Sequence, residues 1–233
     1  MSKQAFPSKP FRYATQRFGS EAQLAEYFED FLRETSRGNF KFYAEHEAGF
    51  GRPDVLLYAD TDGSSTDVAT LAMLRPWMAP LLSRNAVRRI GSVADLVRAT
   101  GASTEAARHI AKQLEALGRL TRFDHESFEI LPIEKFPFPK VVAIEIKLRD
   151  WNRALVQAFR YRNFATEAWV LLDHAFVRPA IQQLQRFSST GVGLASFTPE
   201  GVLHVHQAAR SHPIPDGPLA WRTQCILAQS QPT

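Results

Sequence analysis

Asp54 closes the stretch Gly51-Arg-Pro-Asp54 and enters an apolar run, and 91 residues later Glu145 and Lys147 sit inside Ala143-Ile-Glu145-Ile-Lys147. A carboxylate and an ammonium on an otherwise apolar strand are costly to bury unless they pair with each other or serve a ligand. The strand period of two puts Glu145 and Lys147 on one face, with Ile144, Ile146 and Leu148 opposite, and groups Asp54 with Leu56 and Tyr58 in the run 53–58. From a neighbouring strand, Asp54 would give Glu145 a second carboxylate, and two carboxylates with a carbonyl and waters suit Mg²⁺ or Mn²⁺. Gln157-Ala-Phe-Arg-Tyr161 follows Lys147 closely enough to belong to the same constellation.

The elements that must hold these residues are legible from periodicity. Ser20 followed by Gln23 is a capping-box signal, and Leu24, Tyr27, Phe28, Phe31 and Leu32 recur at helical spacing, predicting a helix over 20–35. Glu21 shares the 21-24-28-31 stripe and can point towards the site; the alternative is an acid favoured by the helix dipole. Residues 40–48 and 53–59 read as strands joined around Gly49 and Gly51, and 60–67 as a loop. Glu45 and Glu47 share one strand face and read as solvated, with Glu47 in reserve as a metal ligand. Further on, 141–148 is a strand, Asp150 caps a helix over 151–164, 167–172 is a strand and 178–187 a helix, with strands near 192–197 and 201–206.

Between the two halves lies a segment of different character. Residues 68–90 are helical, interrupted at Pro76 and Pro80; Ser92 to Asp95 is a second capping box; Gly101-Ala-Ser is a tight turn. A longer helix, Thr104–Leu117, buries Ala107, Ile110, Ala111, Leu114 and Leu117, and 119–131 alternate around Asp124-His125-Glu126 as a hairpin. Helix, short turn, longer helix and hairpin is the layout of a winged helix-turn-helix. The opposite face of its second helix carries Thr104, Arg108, His109, Lys112 and Gln113, side chains suited to phosphates and base edges. Winged helices also dock proteins, which is the alternative for this segment.

The ordered set Asp54, Glu145, Lys147 and Gln157 resembles the PD-(D/E)xK nuclease superfamily, the restriction-endonuclease-like fold, over most of the chain outside 68–135. That resemblance implies an α/β core of order α-β-β-β-α-β, a mixed sheet flanked by helices, formed by 1–67 and 136–233 and interrupted by a winged-helix domain at 68–135. It implies that Asp54 and Glu145 hold Mg²⁺ or Mn²⁺, that Lys147 orients or deprotonates the attacking water, and that Gln157, with Tyr161 one turn on, matches a subgroup carrying a glutamine on this helix. Glu21 matches the first-helix glutamate of resolvase-like members. The expected activity is metal-dependent hydrolysis of DNA phosphodiesters, with Arg153, Arg160, Tyr161 and Arg162 against the substrate. The alternatives are a non-cutting or partner-dependent DNA-binding or assembly protein on the same fold, and a structure-selective or RNA-processing nuclease.

Composition fits this reading. The 233 residues are 45% apolar and 22% charged, enough for a sizeable core, and a single cysteine, Cys225, excludes an internal disulfide framework. No apolar run reaches the roughly 18 residues of a membrane span, so the expectation is a soluble, cytoplasmic protein without a membrane partner. The net charge of +4 is uneven: Lys3, Lys9, Arg12 and Arg17 stand without an acid in 1–18, and 80–122 carry eight Arg or Lys against Asp95, Glu105 and Glu115. A basic segment beside an acidic remainder points to a polyanion partner and a carboxylate-bearing site. Cutting both strands of a duplex needs two active sites or two visits, which makes a homodimer an expectation from the task. His204 and His206 share a strand face without a third ligand and read as packed or surface residues, and Trp151, Trp169 and Trp221 as packing residues.

Overall fold

In the computed structural model, residues 16–35, 40–44, 53–59 and 65–231 are described. In chain order they form α1 (Glu21–Thr35), β1 (Lys41–Ala44), β2 (Val55–Tyr58), α2 (Ser65–Met73), a 3₁₀ turn (Pro76–Leu82), α3 (Arg84–Val87), α4 (Val93–Thr100), α5 (Thr104–Ala116), β3 (Leu120–Arg122), β4 (Phe128–Ile130), β5 (Val141–Lys147), α6 (Trp151–Tyr161), β6 (Glu167–Asp173), a 3₁₀ turn (His174–Phe176), α7 (Arg178–Ile181), α8 (Leu184–Thr190), β7 (Gly193–Phe197), β8 (Leu203–Gln207) and α9 (Pro218–Gln229). The chain divides into two compact units, one from 1–60 with 140–214 and one from 61–139 with 215–233.

The first unit is an α/β structure around a six-stranded mixed sheet of order β1-β2-β5-β6-β7-β8. Strands β1, β2 and β5 form an antiparallel meander, β5, β6 and β7 are parallel, and β8 closes the edge antiparallel. The central strand β5 is buried along nearly its whole length, as expected of a strand covered on both faces. One face carries Val142, Ile144 and Ile146, which join Leu24, Phe28 and Leu32 of α1 with Leu171 and Phe197 in a single core. Helix α1 begins as its sequence signals: Gln23 N donates to Ser20 Oγ at 3.1 Å, and the Gln23 side chain in return accepts from Gly19 N at 2.8 Å. The other face of β5 and β6 is covered by α6, which presents Ala154, Leu155, Ala158 and Tyr161 inward. The predicted single helix 178–187 is two short ones, α7 and α8, separated at Gln182 and Gln183.

The second unit holds α2 to β4 and α9. Ser92 and Ser103 cap α4 and α5, Gly101 ends α4 at φ 69°, a left-handed conformation that glycine adopts without a Cβ penalty, and β3 pairs with β4 in an antiparallel hairpin. Helix α2 begins at Ser65, inside the stretch expected to be a loop. Helix α9 corrects the expected boundary, which assigned everything after 136 to the first unit. Cys225 Sγ donates to Leu71 O at 3.1 Å, Gln229 Nε2 to Leu74 O at 2.6 Å, and Gln224 exchanges two hydrogen bonds with the Phe138 backbone, so α9 is part of the second unit's own core. Among the described residues no helix is long and apolar enough to cross a membrane.

Candidate active site

The register of β2 on β5 pairs Val55 with Ile144, so Asp54, one step before β2, arrives beside Glu145. The Ile146 N–H donates to Asp54 Oδ2 at 2.6 Å, fixing the aspartate at the end of the meander. Lys147 ends β5 and turns its ammonium among three carboxylates: Glu145 at 2.8 Å, Glu21 at 3.6 Å and Asp54 at 3.8 Å. Thus α1, the entry to β2 and the end of β5 each supply an acid to one point, and Glu21 does turn towards it. The Lys147 ammonium also donates to Ile146 O at 2.9 Å.

Burial grades across this cluster. Glu145 is 1% exposed, Lys147 14%, Asp54 38% and Glu21 50%. Burial pushes the Glu145 carboxyl above its ordinary value; the hydrogen bonds from Lys147 and Tyr161 work against that rise, and the Asp54 charge adds to it. For Lys147, burial favours the neutral amine, but the Glu145 hydrogen bond and the charges of Asp54, Glu145 and Glu21 outweigh it, so its value is raised. An ammonium held protonated in this way supplies positive charge and hydrogen bonds. Of the roles expected of Lys147, orienting the water and neutralising phosphate charge suit a protonated amine.

Helix α6 supplies the remaining polar groups. The Tyr161 hydroxyl donates to Glu145 Oε2, and both side chains are buried. This corrects the expectation that Tyr161 touches nucleic acid: it lies on the face of α6 that meets the sheet and holds the Glu145 carboxylate. Its own proton is retained more tightly than usual, because burial and the neighbouring carboxylate both oppose a phenolate. Gln157, one turn earlier, is half-buried, and its side-chain oxygen is enclosed without a hydrogen-bond partner. Arg153 and Arg160 are exposed. Arg162 is committed elsewhere, donating to Gly191 O at 3.0 Å and Arg210 O at 3.1 Å, so it is a structural tie rather than a substrate contact.

Beside Asp54 runs a groove of about 600 Å³, lined by Glu21, Ala25, Glu26, Glu29, Asp54 and Ile146 among others. Its acids attract cations and repel an unaccompanied polyanion. Among the described residues no group of three or more His, Cys, Asp or Glu side chains is arranged as a metal cage. The donor set nevertheless fits Mg²⁺ or Mn²⁺, which take hard oxygen ligands, keep several waters and need only one or two protein carboxylates. Lys147 marks where positive charge is favoured, since three carboxylates already gather around its nitrogen. Glu45, Glu47 and residues 1–15 lie outside the described residues.

In the second unit Arg108, His109 and Lys112 are exposed on α5 and Gln113 is half-buried. Arg108 donates to Glu126 of the hairpin at 3.1 Å, so part of its charge is answered within the unit. His204 and His206 are packed, as read, but with a third imidazole, His174, that sequence spacing did not reveal. Trp151 lies beneath the Arg186 guanidinium, and the Trp221 indole donates to Asp216 at 2.6 Å. Comparison with protein-family models, with curated proteins and with solved structures returned no match for this chain.

Proposed function

We propose that the first unit is a divalent-metal-dependent phosphodiesterase of the PD-(D/E)xK kind acting on DNA, and that the segment of the second unit that lies between β2 and β5, read as a winged helix-turn-helix, grips the nucleic acid. The observation that carries this is the meeting of Asp54, Glu145 and Lys147 at one end of the meander, with Glu145 kept charged-capable at 1% exposure by Lys147 and Tyr161. The element order α1-β1-β2-β5-α6-β6 supports the same reading. Asp54 and Glu145 would hold Mg²⁺ or Mn²⁺, which when bound polarises a phosphoryl oxygen and acidifies a water. Lys147 places a protonated amine against the charge that develops on the phosphate, Tyr161 keeps Glu145 aimed, and the unpartnered Gln157 oxygen can accept a hydrogen bond from a water. Arg153 and Arg160 on α6, and Arg108 and Lys112 on α5, answer backbone phosphates.

The test is cleavage of supercoiled plasmid and of labelled duplex, single-stranded, branched and RNA substrates with Mg²⁺, Mn²⁺ or EDTA. The wild type is expected to cut in a metal-dependent way and Asp54→Asn, whose amide oxygen can still accept from Ile146 N, to lose cutting. Binding of DNA without cleavage of any substrate would move the reading to a non-cutting DNA-binding protein.

A further inference from the structure

A second polar cluster, sharing no residue with the Asp54 and Glu145 site, lies where β6 and β7 end and β8 begins. His174 follows β6, Ser196 lies in β7 opposite His204, and His206 is two residues on in β8. The His174 and His204 rings stack at 4.4 Å between centroids with 29° between planes, and His206 lies 6.3 Å and 6.4 Å from them, nearly parallel to both. Ser196 Oγ is within 2.8 Å of His174 Nδ1 and 2.7 Å of His206 Nε2. A single hydroxyl proton can serve only one of those nitrogens, so the other ring donates to Ser196 Oγ, and three imidazoles with centroids 4.4 to 6.4 Å apart disfavour positive charge on more than one of them. Among the described residues no three His, Cys, Asp or Glu side chains are arranged to hold a metal ion, and this cluster is therefore read through its hydrogen bonds.

The same strand ends hold the lead-in to α1. Phe18 N donates to Asp173 Oδ2 at 3.0 Å, and the Phe18 ring stacks on Phe197 at 6.3 Å. Asp173 adjoins His174, and Phe197 adjoins Ser196, so the residues that seat Phe18 are the chain neighbours of the histidine cluster. We propose that His174, Ser196, His204 and His206 form an acid-sensitive clamp that holds the ends of β6, β7 and β8 together and, through Asp173 and Phe197, seats the segment entering α1.

The charged groups around the cluster sharpen the effect. Among the described residues, Asp173 is turned to the N–H groups of Phe18 and Ala175, Glu200 in the β7–β8 turn is exposed, and the charged side chains of α7 and α8 are Arg178 and Arg186, the latter stacked over Trp151. Burial and then the His174 and His204 charges push His206 down to about 4, and burial with His174 lowers His204. With folded values below unfolded ones, the unfolded chain binds more protons, so the clamp's contribution is present at neutral pH and is lost as pH falls from about 6.5 towards 4.

This inference stands apart from the nuclease reading, and its test needs no activity. Urea unfolding and amide exchange of the full chain would be followed from pH 7.5 to 4.5 for the wild type, His206→Gln and His204→Gln, with imidazole titration by NMR. The expected result is that His204 and His206 titrate below ordinary histidine, that each Gln variant has a flatter stability profile, and that the Phe18 amide of the wild type loses protection, after correction for intrinsic exchange, before the rest of the unit opens. Ordinary titration of both histidines, a profile unchanged by the substitutions, or a Phe18 amide protected until global unfolding would overturn it.

Discussion

Glu145 and Lys147 in the first unit are 1% and 14% exposed and joined at 2.8 Å, whereas Arg108 and Glu126 in the second meet at 3.1 Å with both side chains more than half exposed. Arg98–Asp95 and Arg84–Glu134 repeat the second arrangement with their arginines exposed. An exposed pair costs little to form and contributes little, about 0–1 kcal/mol, so its presence needs no explanation beyond solvation. A buried pair pays desolvation that its Coulomb attraction need not repay, and apolar residues of equal volume often do as well. The second unit also partly buries an ion pair, Arg119 with Asp67 at 13% and 25% exposure, but the first unit gathers three carboxylates on one ammonium where stability alone does not ask for them, and the chemistry proposed for Asp54, Glu145 and Lys147 supplies a reason.

The contrast can be broken by mutation. The largest effect is expected from Lys147→Ala, which strands the Glu145 carboxylate in the interior and should cost about 3 kcal/mol in urea unfolding. Tyr161→Phe removes one donor from the same carboxylate and should cost about 1–2 kcal/mol, with cleavage falling because Glu145 is no longer aimed. At the other extreme Arg108→Ala should change stability by no more than about 1 kcal/mol. Paired with Lys112→Ala, it should instead lower the dependence of DNA binding on log salt by about two phosphate contacts, measured by fluorescence anisotropy.

The contrast also has a pH signature. Glu145 and Lys147 both have folded values above their unfolded ones, so what each contributes is present below the unfolded value and is lost as pH rises through the folded one. For Glu145 that window opens upward from about 4.5, the reverse of the histidine cluster, which weakens as pH falls. Replacing Glu145 by Gln should flatten the first trend and leave the second, a difference that unfolding midpoints between pH 4.5 and 7.5 would show.

Much of this arrangement was readable from sequence because it is local or strictly periodic. The capping box at Ser20, the stripe Leu24, Phe28 and Leu32, and the alternation in 141–148 each fix a face without knowledge of the rest of the chain. Tyr161 was misread because its helix neighbours Arg160 and Arg162 drew attention to charge, although its spacing from Ala154 and Ala158 already places it on the inward face. Helix α9 carried a start signal in Gly217-Pro218 and buries Ala220, Trp221, Gln224, Cys225 and Ala228, a stripe at helical spacing that the charge-led reading passed over. The histidine cluster was legible only at His204 and His206, which share a strand face, because His174 meets His204 only through the pairing of β6, β7 and β8, which no local pattern encodes.

The most direct test of the central claim is cleavage and stability measured together on Glu145→Gln. Glutamine keeps the size of the side chain and one oxygen for Lys147, its amide N–H can donate to the Tyr161 hydroxyl oxygen in place of the bond that hydroxyl gives Glu145, and the buried charge is removed. The account predicts a variant folded to within about 1 kcal/mol of the wild type, since Lys147 keeps Glu21 and Asp54 as charged partners and the glutamine oxygen as an acceptor, yet unable to carry out metal-dependent phosphodiester cleavage. A Glu145→Gln protein that cuts as the wild type does, under the same metal, would contradict it.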